Sequence, residues 1–143
     1  MKILILEDRE LTLSMLAEVL SKNGYSIIPC VDIYEANEAW NQGNIDMVIT
    51  DLSMNPDGLT MAEKHETNGA ILSGWIWLKN YVLKNNEDFK SRCIIFSDYI
   101  DYANQLIKEN DIESGLFNDI KKIRKSSTNS IKDLIDATQL RRG

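Results

Sequence analysis

The stretch "NIDMVITDLSMNPDG" (residues 44–58) decides how the chain is read. Its first half holds a run of buried-looking residues, Met47-Val48-Ile49-Thr50, and residues 45–50 read as a strand. The run ends in a carboxylate, Asp51, and the chain then becomes polar through Asn55-Pro56-Asp57-Gly58, a turn signal. An Asp at the end of a strand is unremarkable alone. It gains meaning only where other charged groups converge on the same point, so the flanking sequence must supply them.

Outward from this stretch, apolar runs alternate with helical periodicity. "KILIL" (2–6) reads as a buried strand, and residues 9–22 carry Leu11, Met15, Leu16, Val19 and Leu20 at helical spacing before a glycine stop at Gly24. "YSIIPCV" (25–31) reads as a second strand, with Pro29 marking an edge or a strand end. Residues 32–43 predict a helix capped by Asp32 and ended by Gly43. Beyond the third strand the rhythm breaks over 52–72, which holds the only histidine, His65. It resumes with a helix over 74–85, a strand over 91–97 and a helix over 101–110. A weaker strand falls within 115–124, and a helix opened by a Thr or Asn cap follows over 128–140. Five strands alternating with helices predict an α/β, doubly wound parallel sheet with helices on both faces. One domain over 1–143 is expected, with an inserted loop at about 55–73.

Composition narrows the functional classes. The chain has 143 residues, of which 43% are hydrophobic and 27% charged, as in ordinary globular proteins. A net charge of −6 opposes direct nucleic-acid binding, which needs basic surface to displace counterions. The basic residues collect late, in "KKIRK" (121–125) and "LRRG" (140–143). No apolar run approaches the ~20 residues that span a bilayer, and the start lacks a signal-peptide core. Cys30 and Cys93 lack metal-ligand spacing and fit buried free thiols in a cytoplasmic protein. With one His and two Cys, any metal would be a hard ion on oxygen ligands.

In open α/β sheets, functional groups gather at the carboxyl ends of strands. The first strand ends in Glu7-Asp8, the third in Asp51 and the fourth in Ser97. In the flavodoxin-like order 2-1-3-4-5 the first and third strands are neighbours, which brings three carboxylates into one small volume. Like charges that close repel, so the arrangement calls for a divalent cation, and Mg²⁺ suits it. A carboxylate beside the ion, a hydroxyl and an ammonium has the chemistry to accept a phosphoryl group.

The set "LILEDRE", "DMVITDLSM", "CIIFS" and a late lysine resembles the receiver domain of two-component response regulators, over nearly the whole chain. The resemblance implies that Glu7 and Asp8 are the acidic Mg²⁺ pair, Asp51 the phosphoacceptor, and Ser53 the donor of a backbone carbonyl to the ion. It implies Ser97 as the switch hydroxyl and Lys125 as the site lysine, with Lys121 and Lys122 as alternatives. The partners implied are a histidine kinase or phosphotransfer protein and a downstream protein. A homodimer is the further possibility, through the helix over 101–110, the fifth strand and the last helix. Phosphorylation would bias a two-state equilibrium of the neighbouring face in a stand-alone switch.

Four departures from that pattern carry weight. The connection from Asp51 to Gly74, the counterpart of the family's glycine before its third helix, is longer than usual by roughly fifteen residues. The residue after the switch hydroxyl, normally small, is Asp98, and Ser126 stands where a proline would follow Lys125. The aromatic expected three residues before Lys125 is Lys122. They favour, as an alternative, a receiver-like interaction module without phosphorylation. A Mg²⁺-dependent phosphohydrolase ranks last, because Ser53 stands where its second Asp belongs. Trp75 and Trp77, two apart on one helix, predict one core indole and one that is partly exposed or under the insertion. His65 is expected on the surface, and Tyr99 and Tyr102 near the signalling face.

Overall fold

The structure, a computed structural model, describes residues 1–110 and 114–141. Strands β1 (Lys2–Leu6), β2 (Ser26–Cys30), β3 (Met47–Thr50), β4 (Cys93–Phe96) and β5 (Lys121–Ile123) pair in parallel in the order β2-β1-β3-β4-β5. This is the α/β, doubly wound, flavodoxin-like sheet that the alternation predicts. The helices are α1 (Glu10–Lys22), α2 (Ile33–Gln42), α3 (Met61–Glu66), α4 (Ser73–Trp77), α5 (Ile100–Glu109), α6 (Ser114–Asp119) and α7 (Ser130–Leu140). The last two residues of the basic tail lie outside the described residues.

Side chains alternate along each strand between two cores. Ile3, Ile5, Met47, Ile49, Ile94 and Phe96 pack with Leu13, Leu16 and Leu20 of α1 and Leu134 of α7. Leu4, Leu6, Val48, Cys93 and Ile95 pack on the other face with Ile33, Trp75, Trp77 and Ile107. Burial on both faces explains why these strands read as continuous apolar runs rather than alternating ones. β2 is an edge strand, as Pro29 predicts. Ser26 donates to Met1 O and Cys30 accepts from Glu7 N, so their backbone groups face β1. Pro29, one residue out of phase, turns its missing donor outward.

Local signals place α2 as expected: Asp32 accepts from Glu35 N at 2.8 Å, and Gly43 leaves the helix at φ +82°. Three segments depart from expectation. The polar stretch 55–73 is not an irregular loop but carries α3, opened by a capping box in which Thr60 and Glu63 bond each other's backbone N–H. Glu63 also accepts from Tyr81 Oη at 2.5 Å and Asn80 Nδ2 at 2.8 Å, which ties the segment to the helix after it. That helix begins at Ser73, and its second half, Leu78–Val82, widens into a π-helix. The third departure is α6, a short helix ahead of β5.

Of the two places expected for the second indole, partial exposure is overturned. Both are fully buried. The spacing rule assumes a helix with one covered side, whereas every residue from Ser73 to Leu78 is buried. Trp75 meets Phe117 of α6 edge-on at 5.1 Å, and Trp77 Nε1 donates to Asn37 of α2 at 2.8 Å. The helix is covered from both flanks.

Candidate functional site

Parallel pairing carries the strand ends to one edge of the sheet, and the register decides which residues meet there. Leu6 pairs with Thr50, so Glu7 and Asp51 follow side by side, and the Asp51 N–H donates to Leu6 O at 3.0 Å. Ligand atoms of Glu7, Asp8 and Asp51 lie within 4.8 Å of one another. Phe96 pairs with Ile123, which brings Ser97 and Lys125 to the same edge from the far side of β3. The Lys125 ammonium donates to Asp51 Oδ2 at 2.5 Å and to Glu7 Oε1. The second oxygens are held by backbone: Asp51 Oδ1 accepts from Leu52 N at 2.6 Å, and Glu7 Oε2 from Arg9 N at 3.2 Å. Glu7 and Asp51 are buried, and Asp8 is exposed at the mouth.

Burial and charge set the site's proton affinities. Burial pushes the Glu7 carboxyl above its ordinary value; the bond from Lys125 opposes this, and the Asp51 charge adds to it. Burial acts against the charged Lys125, yet Asp51 and Glu7 outweigh it and hold the ammonium above its ordinary value. Lys125 is therefore a cation at neutral pH. Three carboxylates against one bonded ammonium leave an excess of negative charge suited to a hard divalent ion.

A cleft of about 280 Å³ opens over this cluster, lined by Asp8, Asp51, Ser53, Asp98, Tyr99 and Lys125 among others. Ser97 is fully buried beneath it, and its Oγ accepts from Tyr99 N at 3.1 Å. Gly74 closes the back of the site. Its N–H donates to Leu52 O at 2.9 Å, and the chain passes so close to Asp51 that no larger residue fits.

No family model and no curated protein matches the sequence. Solved structures do. The receiver domain of the Francisella response regulator 1452 shares 21% identity at a TM-score of 0.65, over 98% of this chain and 94% of that one. The Thermotoga maritima response regulator TrrA, in complex with Mg²⁺ and beryllofluoride, shares 20% at 0.64, over 98% and 97%. The receiver domain of the hybrid histidine kinase CckA shares 19% at 0.57, over all of both chains. The chain has the receiver-domain fold.

On that receiver fold the late lysines separate clearly. Lys125 reaches Asp51 and Glu7; Lys121 is exposed on β5. Lys122 bonds Phe117 O and, at 2.8 Å, Ile120 O, with its ammonium 4.3 Å from the Phe117 ring centroid. Burial lowers its pKa to about 8. Where an aromatic side chain is expected, a lysine thus closes the end of α6. His65 lies exposed on α3, away from the cleft lining, and Tyr99 and Tyr102 are exposed on and beside α5. Arg9, Met54 and Asn55 also line the cleft and escaped the sequence reading. Their signal was adjacency, since each lies within four residues of Asp8 or Asp51.

Proposed function

We propose that the protein is a phosphorylation-activated signalling switch of a two-component system, taking a phosphoryl group from a histidine kinase or phosphotransfer protein onto Asp51. The observation that carries this reading is the convergence of Lys125, Glu7 and Asp8 on the Asp51 carboxylate at the carboxyl edge of a receiver fold. Glu7, Asp8, Asp51 and the Ser53 carbonyl would hold Mg²⁺, which supplies charge neutralisation at the transferring group. The Asp51 oxygen that Lys125 now holds would attack phosphorus, forming a P–O bond as the P–N bond to the donor imidazole breaks. Lys125 would then pair with the phosphoryl oxygens. Ser97, beneath the cleft, would turn its hydroxyl toward them, shifting the β4–α5–β5 face that a downstream partner reads.

A homodimer through α5, β5 and α7 is the assembly this reading favours, with Tyr102 and Leu140 exposed there. Cytoplasmic placement belongs to the same proposal; among the described residues no helix is long and apolar enough to cross a membrane. The whole chain 1–143 would act as one receiver unit in which 55–73 is an insertion.

The test is incubation with Mg²⁺ and acetyl phosphate, or with beryllofluoride, followed by intact mass and tryptophan emission. One added phosphoryl group, absent in Asp51→Asn, is the expected result. Mg²⁺ binding with no mass gain from any donor would instead support an interaction module, a second reading that Asp98 on the cleft wall favours.

A further inference from the structure

Beyond the last paired residues of β4 and β5, three hydrogen bonds continue to join the two segments. Ser97 N donates to Ile123 O at 3.0 Å, Lys125 N to Ser97 O at 3.3 Å, and Ser126 N to Asp98 Oδ1 at 2.8 Å. The first two extend the backbone ladder. The third is separate from the ladder: a side-chain carboxylate accepts from the intervening N–H of Ser126. The peptide groups on both sides of the Lys125 Cα are thereby anchored, one by Ser97 and one by Asp98.

That anchoring matters because Lys125 must bridge two carboxylates from strands β1 and β3. A long flexible side chain holds such a position only where its backbone origin is fixed. Two departures from the receiver pattern meet in this bond. A proline at 126 would have no N–H to give, and a small residue at 98 no carboxylate to take it. Asp98 also lines the cleft, so its charge stands near any incoming anionic donor.

We infer that Asp98 is a positioning residue for Lys125, acting through the Ser126 N–H, and that its carboxylate replaces the backbone restraint a proline would impose. This rests on the phosphoryl-acceptor reading of the site. Charge and hydrogen bonding are separable at position 98. Asp98→Asn removes the charge but keeps an acceptor oxygen, whereas Asp98→Ala removes both. Because Asp98 is exposed, neither substitution disturbs the core.

The experiment measures the rate of phosphoryl uptake from acetyl phosphate with Mg²⁺ by intact mass, together with exchange of the Ser126 amide. Asp98→Asn is expected to take up phosphoryl at least as fast as the wild type. Asp98→Ala is expected to be about fivefold slower than Asp98→Asn, equivalent to about 1 kcal/mol at 1.36 kcal/mol per decade. Its Ser126 amide should lose protection, while that of Asp98→Asn keeps it. Equal uptake in the two variants would overturn the inference and leave the receiver reading standing. A wild-type protein that gains no phosphoryl mass would overturn both.

Discussion

A Cβ placed on Gly74 would fall 1.8 Å from the carbonyl oxygen of Asp51 and 3.0 Å from Thr50 Oγ1. The start of α4 and the end of β3 therefore touch backbone to backbone, and only the absence of a side chain permits it. Gly74→Ala should lower stability by roughly 2–4 kcal/mol, read as a fall in the urea midpoint, because the obstacle is main chain and cannot rotate away. An unchanged midpoint would mean that α4 can withdraw from Asp51 freely.

Mg²⁺ binding should depend on pH through Glu7. Protons compete with metals for carboxylates, and burial holds Glu7 above its ordinary value of 4.5. Affinity measured by calorimetry is expected to begin falling, on acidification, at a pH above that ordinary value. Asp8→Asn should weaken binding by at least about tenfold at neutral pH. Affinity indifferent to Asp8 would remove the ion from this site.

The 55–73 segment should loosen in acid. Burial acts to raise Glu63, but the bonds from Tyr81, the Thr60 backbone and Asn80 prevail and hold it below its ordinary value of 4.5. A depressed carboxyl contributes stability above its unfolded value and loses it as pH falls through the folded one. Protection of the amides in 55–73, taken relative to their intrinsic exchange rates at each pH, should therefore fall below about pH 4.5. Tyr81→Phe should reproduce part of that loss at neutral pH, about 1 kcal/mol. Tyr81 itself is pushed up to about 12, first by burial and then by Glu63, so it stays a donor throughout.

Neither cysteine should react in the native state. Burial, with the charges of Glu35 and Asp32 adding to it, raises Cys30 to about 12, and burial raises Cys93 further. A thiol-specific colour reagent at pH 8 should find no thiol until denaturant is added, and then both. Rapid labelling of the folded protein would show that one of the two cores opens.

Strands β1, β3 and β4 were legible because a sheet buried on both faces writes itself as unbroken apolar runs, whereas β5, with two lysines in three residues, left only a weak signal; Asp32 and Gly43 announced α2 by caps. The convergence of Glu7, Asp8 and Asp51 was legible once the strand order was inferred. α3 was missed although its signature, Thr60 followed three residues on by Glu63, stood in plain sight within a polar stretch that lacks a hydrophobic stripe. α6 has too few residues for periodicity to register. The burial of both Trp75 and Trp77 depends on what flanks α4, and no spacing within the helix encodes its neighbours. The bond between Asp98 and Ser126 joins two oddities that, read singly, looked unrelated.

The outward turn of Pro29 bears on how these molecules behave when crowded. An open sheet invites a strand from another chain wherever a row of unpaired N–H and C=O groups faces solvent. On the β2 border one of those donors does not exist, and the opposite border, β5, is three residues long and begins with two lysines. Templated growth into fibrils is thus discouraged at both margins, so high concentration should leave the protein dispersed rather than polymerised.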